Sequence, residues 1–549
     1  MSALIWLLVP VLPLLAAACL WRLPARAGGW LWVCALPALL LSLWPAADLP
    51  LPMLWPGAQW GLTDSLGQIW LGFSALLWLL GSRFASFDLH GDPHARRFWS
   101  CWLLALSGNL LLIIAADAAS FYIGFTLMSL AAYGLVVHLG GPKPRQAGCI
   151  YLQLAVLGEM LLYAGLMLRV HEAGGLLLLS DWQQVPLSPL TATLLLIGFG
   201  LKAGFWPLHV WLPLAHPAAP AAASAVLSGA MIKAGILGLW RFMPESDPLL
   251  QSWGPALVGI GLISALLAVA LGLIQTKAKT VLAYSSVSQM GYLLVILALA
   301  WQIPDSRSAL GLLLALYACH HALAKGALFM GAGLGAHFRL PVSSLILLLI
   351  PALALAGLPL SSGGAVKTLL KEAFADGPQA AWLGLLTLGS LATATLVLRA
   401  CWLIRQQQAQ QKHQAPSGQW LPWAVLCLLP LVLPWLLPDM RTALFSSLPL
   451  YAVWSLLWPL LLAAALVVTL LRMGWQLPAA WQRLPNPALW LSLRLKGLLQ
   501  QPPLPTPEAN TRRQAWRDRE RNWNRFWASR TVASSIAVVM TLLLLGWWF

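Results

Sequence analysis

Apolar runs of bilayer-spanning length follow one another along nearly the whole chain, separated by short polar connections. A membrane-crossing helix needs roughly 20 apolar residues, and the pattern predicts about sixteen of them. Their cores lie at 3–20, 30–46, 66–82, 98–116, 119–139, 149–169, 190–210, 222–243, 253–274, 280–301, 308–334, 342–373, 380–404, 420–437, 449–472 and 531–548. The expected fold is therefore an all-α integral membrane protein. The run at 342–373 is interrupted, because GLPLSSGG (357–364) cannot hold a regular helix. The stretch Leu194–Phe242 is apolar enough for two helices, yet it carries Pro207, Pro213, Pro217 and Pro220. Prolines at membrane depth free carbonyls and are tolerated only where protein or a water-filled cavity receives them.

Charge alternates from one connection to the next. Arg22 and Arg26, Arg96 and Arg97, Lys143 and Arg145, Lys277 and Lys279, Arg339, and Arg405 with Lys412 mark every second connection as cytoplasmic. The intervening connections are acidic or neutral, with Asp48, Asp64, Asp117, Asp181, Glu245, Asp247, Asp305 and Asp376; Arg241, Arg307 and Arg441 are the exceptions on that side. This alternation predicts a multi-pass protein of a bacterial inner membrane with both termini periplasmic. The first apolar run, Leu4 to Leu20, lacks a basic leader and a clear cleavage site, so it reads as a retained helix.

From about Met473 to Arg530 runs the one long polar stretch, cytoplasmic in this topology. PALWLSLRLKGLL has the mixture of an interfacial helix. Further on, Thr506 and Pro507 form a helix-start signal, Trp516, Trp523 and Trp527 fall near one face, and seven arginines fill the remainder. A basic linker on anionic headgroups and a partner-docking helix both fit this segment.

Composition agrees with the pattern: of 549 residues, 60% are hydrophobic and 9% charged, with a mean hydropathy of +0.76. The net charge of +16 does not indicate nucleic acid, because the basic residues sit between spans and in the C-terminal segment. Seven scattered cysteines offer no CxxC or Cys/His spacing, so neither a metal site nor an iron–sulfur cluster is expected. The absence of a GxxxxGK[ST] loop argues against ATP-driven transport, and nothing in the sequence calls for a cofactor.

Ionisable groups inside apolar helices are expensive and need a reason. Lys202, Lys233, Lys325 and Lys367 all lie in such helices, as do His321, four residues before Lys325 on the same face, and Glu159. His209, His216, Lys279 and Asp117 are further candidates. Amines and imidazoles that change protonation state cheaply are what a proton path requires. Snorkelling lysines are the alternative for the first group, and a protonated, hydrogen-bonded carboxyl is the alternative for Glu159.

The words KAGFWPLHVWLPLAHPAAP and SGAMIKAGILGLWRF resemble the antiporter-like family. That family comprises the large membrane subunits of respiratory complex I, the hydrogenase-4 and formate hydrogenlyase membrane subunits, and the Mrp cation/proton antiporters. The wording is most similar to the hydrogenase-4 type, over about Phe98 to about Ile404. The resemblance implies two inverted five-helix repeats, spans four to eight and nine to thirteen, each with one discontinuous helix. It matches Lys202 and Lys367 to the lysines of those helices, Lys233 to the central lysine of the eighth span, and His321 with Lys325 to the pair of the eleventh. AYSSVSQMGY (283–292) also fits. One position departs: the family carries a glutamate, partner of the first lysine, where this chain has Thr126, and Glu159 on the next span is the acid at comparable depth.

By this resemblance the divisions are 1–97, three N-terminal helices; 98–243 and 244–404, the repeats; 405–472, two helices; and 473–549, the polar segment and last span. The implied function is proton translocation through buried Lys, His and Glu side chains and water. The chain would act as a subunit of a multisubunit membrane complex, with partners that include a cytoplasmic protein and hold any redox chemistry. Three other readings stay open: an Mrp-type Na+/H+ antiporter subunit, a structural anchor, and the membrane subunit of an inorganic-carbon uptake complex paired with a large cytoplasmic zinc protein. Thr126 keeps the carbon-uptake reading alive.

Overall fold

The structure is a computed structural model that describes residues 2–20, 22, 25–62, 65–408, 411, 416–473 and 518. The polar stretch after Met473, with the Trp/Arg segment and the expected span at 531–548, lies outside the described residues apart from Asp518. In chain order the helices are α1 (Ser2–Cys19), α2 (Leu36–Leu43), α3 (Ser65–Asp88), α4 (Ala95–Ile114), α5 (Ala118–Val136), α6 (Pro142–Glu172), α7 (Pro189–Ala203), α8 (Leu212–Ala218), α9 (Ala221–Val226) and α10 (Lys233–Phe242). They continue with α11 (Pro248–Leu273), α12 (Ala278–Gln302), α13 (Arg307–His337), α14 (Val342–Ala356), α15 (Ser362–Ala375), α16 (Leu383–Gln408), α17 (Ser417–Leu436), α18 (Pro438–Ser446) and α19 (Leu450–Arg472). A short antiparallel pair, β1 (Leu49–Pro50) and β2 (Gln59–Trp60), lies between α2 and α3.

Among the described residues, twelve helices are long and apolar enough to cross a membrane, and three shorter apolar helices join them. Together they account for fifteen of the sixteen expected segments. The seventh runs further than expected, to Ala218 rather than 210, because the chain resumes a helix after its break. Both predicted interruptions are present. After α7 the backbone turns at Gly204, φ +74°, and re-enters helix at Leu212. Between α14 and α15 it turns through Gly357, φ +102°, and Leu360, φ +60°, before Ser361 caps α15 by accepting from the Gly364 N–H. A third irregularity was not foreseen: a π-helix over Leu227–Met231 separates α9 from α10.

The span formed by α9, the π-turn and α10 is buried along its whole length, as is α12, and α13 nearly so. These three form the centre; the others wrap it and turn one face outward. Tight approach between neighbouring helices depends on glycine. A Cβ on Gly108 of α4 would lie 2.5 Å from Gly124 O and Met128 N of α5. Gly291 of α12 stands in the same relation to Gly261 O of α11, at 2.4 Å. Each pair opens a set of five successive spans whose fourth is broken, α4 to α10 and α11 to α16.

Two of the three arginines that interrupt the charge alternation, Arg241 and Arg307, have structural tasks. Arg241 donates to the carbonyls of Leu112, Ile113 and Ala115 at the buried C-terminal end of α4. Arg307 stacks over Trp240, 4.2 Å from the ring centre, and pairs with Glu245 at 3.3 Å. Buried groups with such partners answer to packing rather than to the charge rule of loops.

Candidate functional site

Lys202 is the penultimate residue of α7, at the first break. Its ammonium donates to Ser129 Oγ at 2.8 Å and lies 3.5 Å from the Tyr151 hydroxyl, which itself donates to Ser129 O at 2.8 Å. Rings of Phe125 and Tyr151 stand 5.6 and 5.8 Å from the nitrogen. The cavity beside them, lined also by Gly158 and Trp211, leaves about 20 Å³ for water centres, room for a single water. Glu159 of α6 is buried, lies against Thr126 and Ser129, and acts electrostatically on Lys202. The two are not in ion-pair contact: Glu159 Oε1 has no hydrogen-bond partner, and neither has Thr126 Oγ1.

Lys233 begins α10, directly after the π-turn. There Ile232 N–H bonds Leu227 O, five residues back, and Ser228 O accepts from the Lys233 ammonium at 2.9 Å. Facing it on α13 are His321 and Lys325, with Cys319 beside them. Lys325 donates to Leu282 O at 2.7 Å and to Ser285 Oγ. His321 is wholly buried with both ring nitrogens unpartnered. His216 of α8 is likewise buried and unpartnered, stacked on Phe329 at 4.6 Å between Lys325 and Lys279. Lys279 donates to Ala219 O at 2.9 Å, with Asp88 of α3 as its nearby acid.

Lys367 stands one and a half turns past the second break. It donates to Ala356 O, the last carbonyl of α14, at 3.0 Å and to Ser390 Oγ at 3.1 Å. His320 connects this lysine to the centre: its Nδ1 is 2.8 Å from Ser362 Oγ on α15, and it lies within electrostatic range of both Lys367 and Lys233. Tyr317 donates to Gln289 Oε1 at 2.9 Å, and Tyr292 is 6.0 Å beneath the Lys367 nitrogen.

The sequence candidates therefore divide. Lys279, His216, Lys325, His321, Lys233 and Lys367 form one succession, and Lys202 with Glu159 forms a second cluster on α7 and α6. His209 lies beyond the first break, its ring 6.1 Å from Tyr284. Asp117 does not join either cluster. Its carboxylate accepts from Ser120 N, Trp55 Nε1 and Gln59 N, capping α5 and holding the strand pair. Sequence reasoning missed His320, although it adjoins His321, because neighbours on a helix point about 100° apart and only the i,i+4 pair was considered. It also missed Ser129 and Tyr151; their signal was a polar atom inside an apolar run. Among the described residues no group of three or more His, Cys, Asp or Glu is placed to hold a metal.

What the arrangement offers chemically is a series of amines and imidazoles in an apolar interior, none in ion-pair contact with a carboxylate. The lysines rest on hydroxyls and on carbonyls, several of them released by helix irregularities. Such groups can take or lose a proton without breaking a salt bridge.

Known proteins resemble this chain in sequence and in fold. A sequence profile described as NADH:quinone oxidoreductase/Mrp antiporter, TM, matches residues 115–395, about half the chain. Hydrogenase-4 component B of Escherichia coli is 33% identical over 242 residues, 42% of this chain and 36% of that protein. Formate hydrogenlyase subunit 3 of E. coli is 29% identical over 421 residues, covering 69% of this chain and 68% of that one. NADH-quinone oxidoreductase subunit N of Psychrobacter arcticus is 26% identical over 349 residues, 60% and 70% of the two chains. The match to the hydrogenase component thus spans little more than a third of its length. In fold, the chain is similar to a chain of the Mrp complex from Dietzia sp., with a TM-score of 0.69 at 21% identity, over 99% of this chain and 61% of that one.

Proposed function

Because the chain belongs to the NADH:quinone oxidoreductase/Mrp antiporter family, and is thus an antiporter-like multi-pass membrane subunit, we propose that it moves protons along its buried amines and imidazoles. The observation that carries this reading is the continuity of the central series. Lys279, His216, Lys325, His321, Lys233, His320 and Lys367 each act electrostatically on the next or share a bond with its helix. A proton arriving at the Lys279 end passes from amine to imidazole to amine, and leaves past the second break. Both ring nitrogens of His216 and His321 are free for this transfer.

Lys202 and Glu159 supply a second station. With threonine at 126, the acid of this half comes from α6, and its displacement from the ammonium leaves the lysine switchable by hydration of the small cavity. The chain works within a membrane complex, in the bacterial inner membrane with both termini periplasmic; its relatives' names, component B, subunit 3 and subunit N, support the assembled state. Protons are the carried ion, and any driving chemistry belongs to partner subunits, one of them cytoplasmic.

The test is proton movement in vesicles that contain the assembled complex, read by an entrapped pH dye after a proton gradient is imposed. Wild type is expected to dissipate the gradient and Lys325→Ala to do so at least tenfold more slowly. Equal rates in wild type, Lys325→Ala and protein-free vesicles would refute the reading; a sodium-only response would favour the Mrp-type exchanger.

A further inference from the structure

Lys371 lies one helical turn beyond Lys367 on α15, on the same face. Its side chain does not run out to solvent as a snorkelling lysine does. It turns to α19 and donates to Ser455 O at 3.1 Å. That carbonyl is available for a covalent reason. The helical partner of Ser455 O is the N–H four residues on, and that residue is Pro459, inside α19, which has no N–H. The sequence thus removes one backbone bond in α19, and Lys371 fills the vacancy.

The two lysines line one cavity, together with Tyr292, Tyr317, Leu386 and Ser390. It leaves about 10 Å³ for water centres, at the lower limit for one water. The ionisable groups at this cavity are Lys367 from α15, Tyr292 from α12 and Tyr317 from α13; α16 contributes Ser390, and α19 the Ser455 carbonyl. No carboxylate is among them, and Lys367 and Lys371 act on each other as like charges. Two ammonium groups at i and i+4 repel, the more so in a poor dielectric, so one proton shared between them is favoured over two.

We propose that Lys371 is a second proton-accepting station, to which Lys367 passes its proton across the cavity and from which the proton leaves toward the Ala375 end of α15. In the step, an N–H bond of the Lys367 ammonium breaks and one forms on the free amine of Lys371; Lys367 is left neutral, and charge is conserved. Ser455 O, released by Pro459, holds Lys371 while it carries the proton, as Ala356 O holds Lys367. This inference rests on the proton-path reading above.

Arginine and glutamine at 371 separate a relay from a structural amine. Arginine keeps the charge and the donor but does not surrender its proton, whereas glutamine keeps a donor without charge. In vesicles bearing the assembled complex, Lys371→Arg and Lys371→Gln are each expected to slow proton movement at least tenfold, with assembly intact. Wild-type rates in Lys371→Arg would show a lysine needed only for charge or packing, and wild-type rates in Lys371→Gln would show one needed for neither; either result overturns the proposal. Where the Gln variant fails to assemble, the Arg variant alone decides. Lys325→Ala, measured alongside, distinguishes the two levels: if it too runs at the wild-type rate, the proton-path reading itself has failed.

Discussion

A lysine inside a membrane needs partners for its donors, and Lys202 has the Ser129 hydroxyl at 2.8 Å, the Tyr151 hydroxyl at 3.5 Å and Glu159 beyond them. Glu159 is the feature of this chain that the family resemblance alone would have misplaced, since the resemblance puts the acid at 126. Its carboxylate is the nearest negative charge available to Lys202 when that lysine is protonated. Glu159→Gln is therefore expected to lower proton movement about tenfold, the effect of roughly 1.4 kcal/mol on a barrier, and adding Thr126→Glu to restore part of it. An undiminished rate in Glu159→Gln would assign the acid a packing role. Asp117 makes the opposite case. Its three accepted bonds are local, so Asp117→Ala is expected to cost about 1–2 kcal/mol of stability, the value of a helix cap, and to leave the transport rate of the remaining folded protein unchanged. Thermal unfolding in detergent, measured beside vesicle transport, checks both halves of that statement.

Helix irregularities connect sequence to chemistry at the next scale. Regular helices consume their own carbonyls, whereas an amine in a membrane needs acceptors. The turn between α8 and α9, the break after α14, the π-turn before α10 and Pro459 in α19 all leave carbonyls that lysines take up. The two breaks were legible, because Gly and Pro announce them. The π-turn was not: LSGAM carries no breaker stronger than one glycine. Pro459 was equally visible in the sequence, but its consequence depends on α15 lying beside α19, a tertiary fact. Close packing of α4 on α5 rests on backbone contact at Gly108. Gly108→Val must push the helices apart, and overpacking of this kind costs about 1–3 kcal/mol; a lowered midpoint of thermal unfolding is expected, and an unchanged midpoint would show that the pair gives way freely.

At the scale of the whole molecule, three central spans are buried and the outer ones wrap them; the amines and imidazoles of the central series converge on α8, α10, α12, α13 and α15, apart from Lys202 and Glu159 on α7 and α6. The apolar pattern made fifteen of these segments legible, and buried lysines marked the axis, because each is costly enough in lipid to need an interior. The order of groups along that axis, and the place of His320 in it, came only from the packing of α13 against α15. The Lys/Arg alternation predicts cytoplasmic connections at 96–97, 143–145, 277–279 and 339. Reporters fused after Lys143 and after Lys277 are expected to be active on the cytoplasmic side, and activity on the periplasmic side would reverse the orientation. Lys233 occupies the middle of the axis, between His321 with Lys325 on one side and His320 on the other. The most direct measurement is therefore the rate of proton movement in vesicles holding equal amounts of assembled complex with wild-type chain or with Lys233→Ala. A loss of at least a hundredfold, with assembly unchanged, is the predicted result; an equal rate in the fully assembled variant would contradict the account.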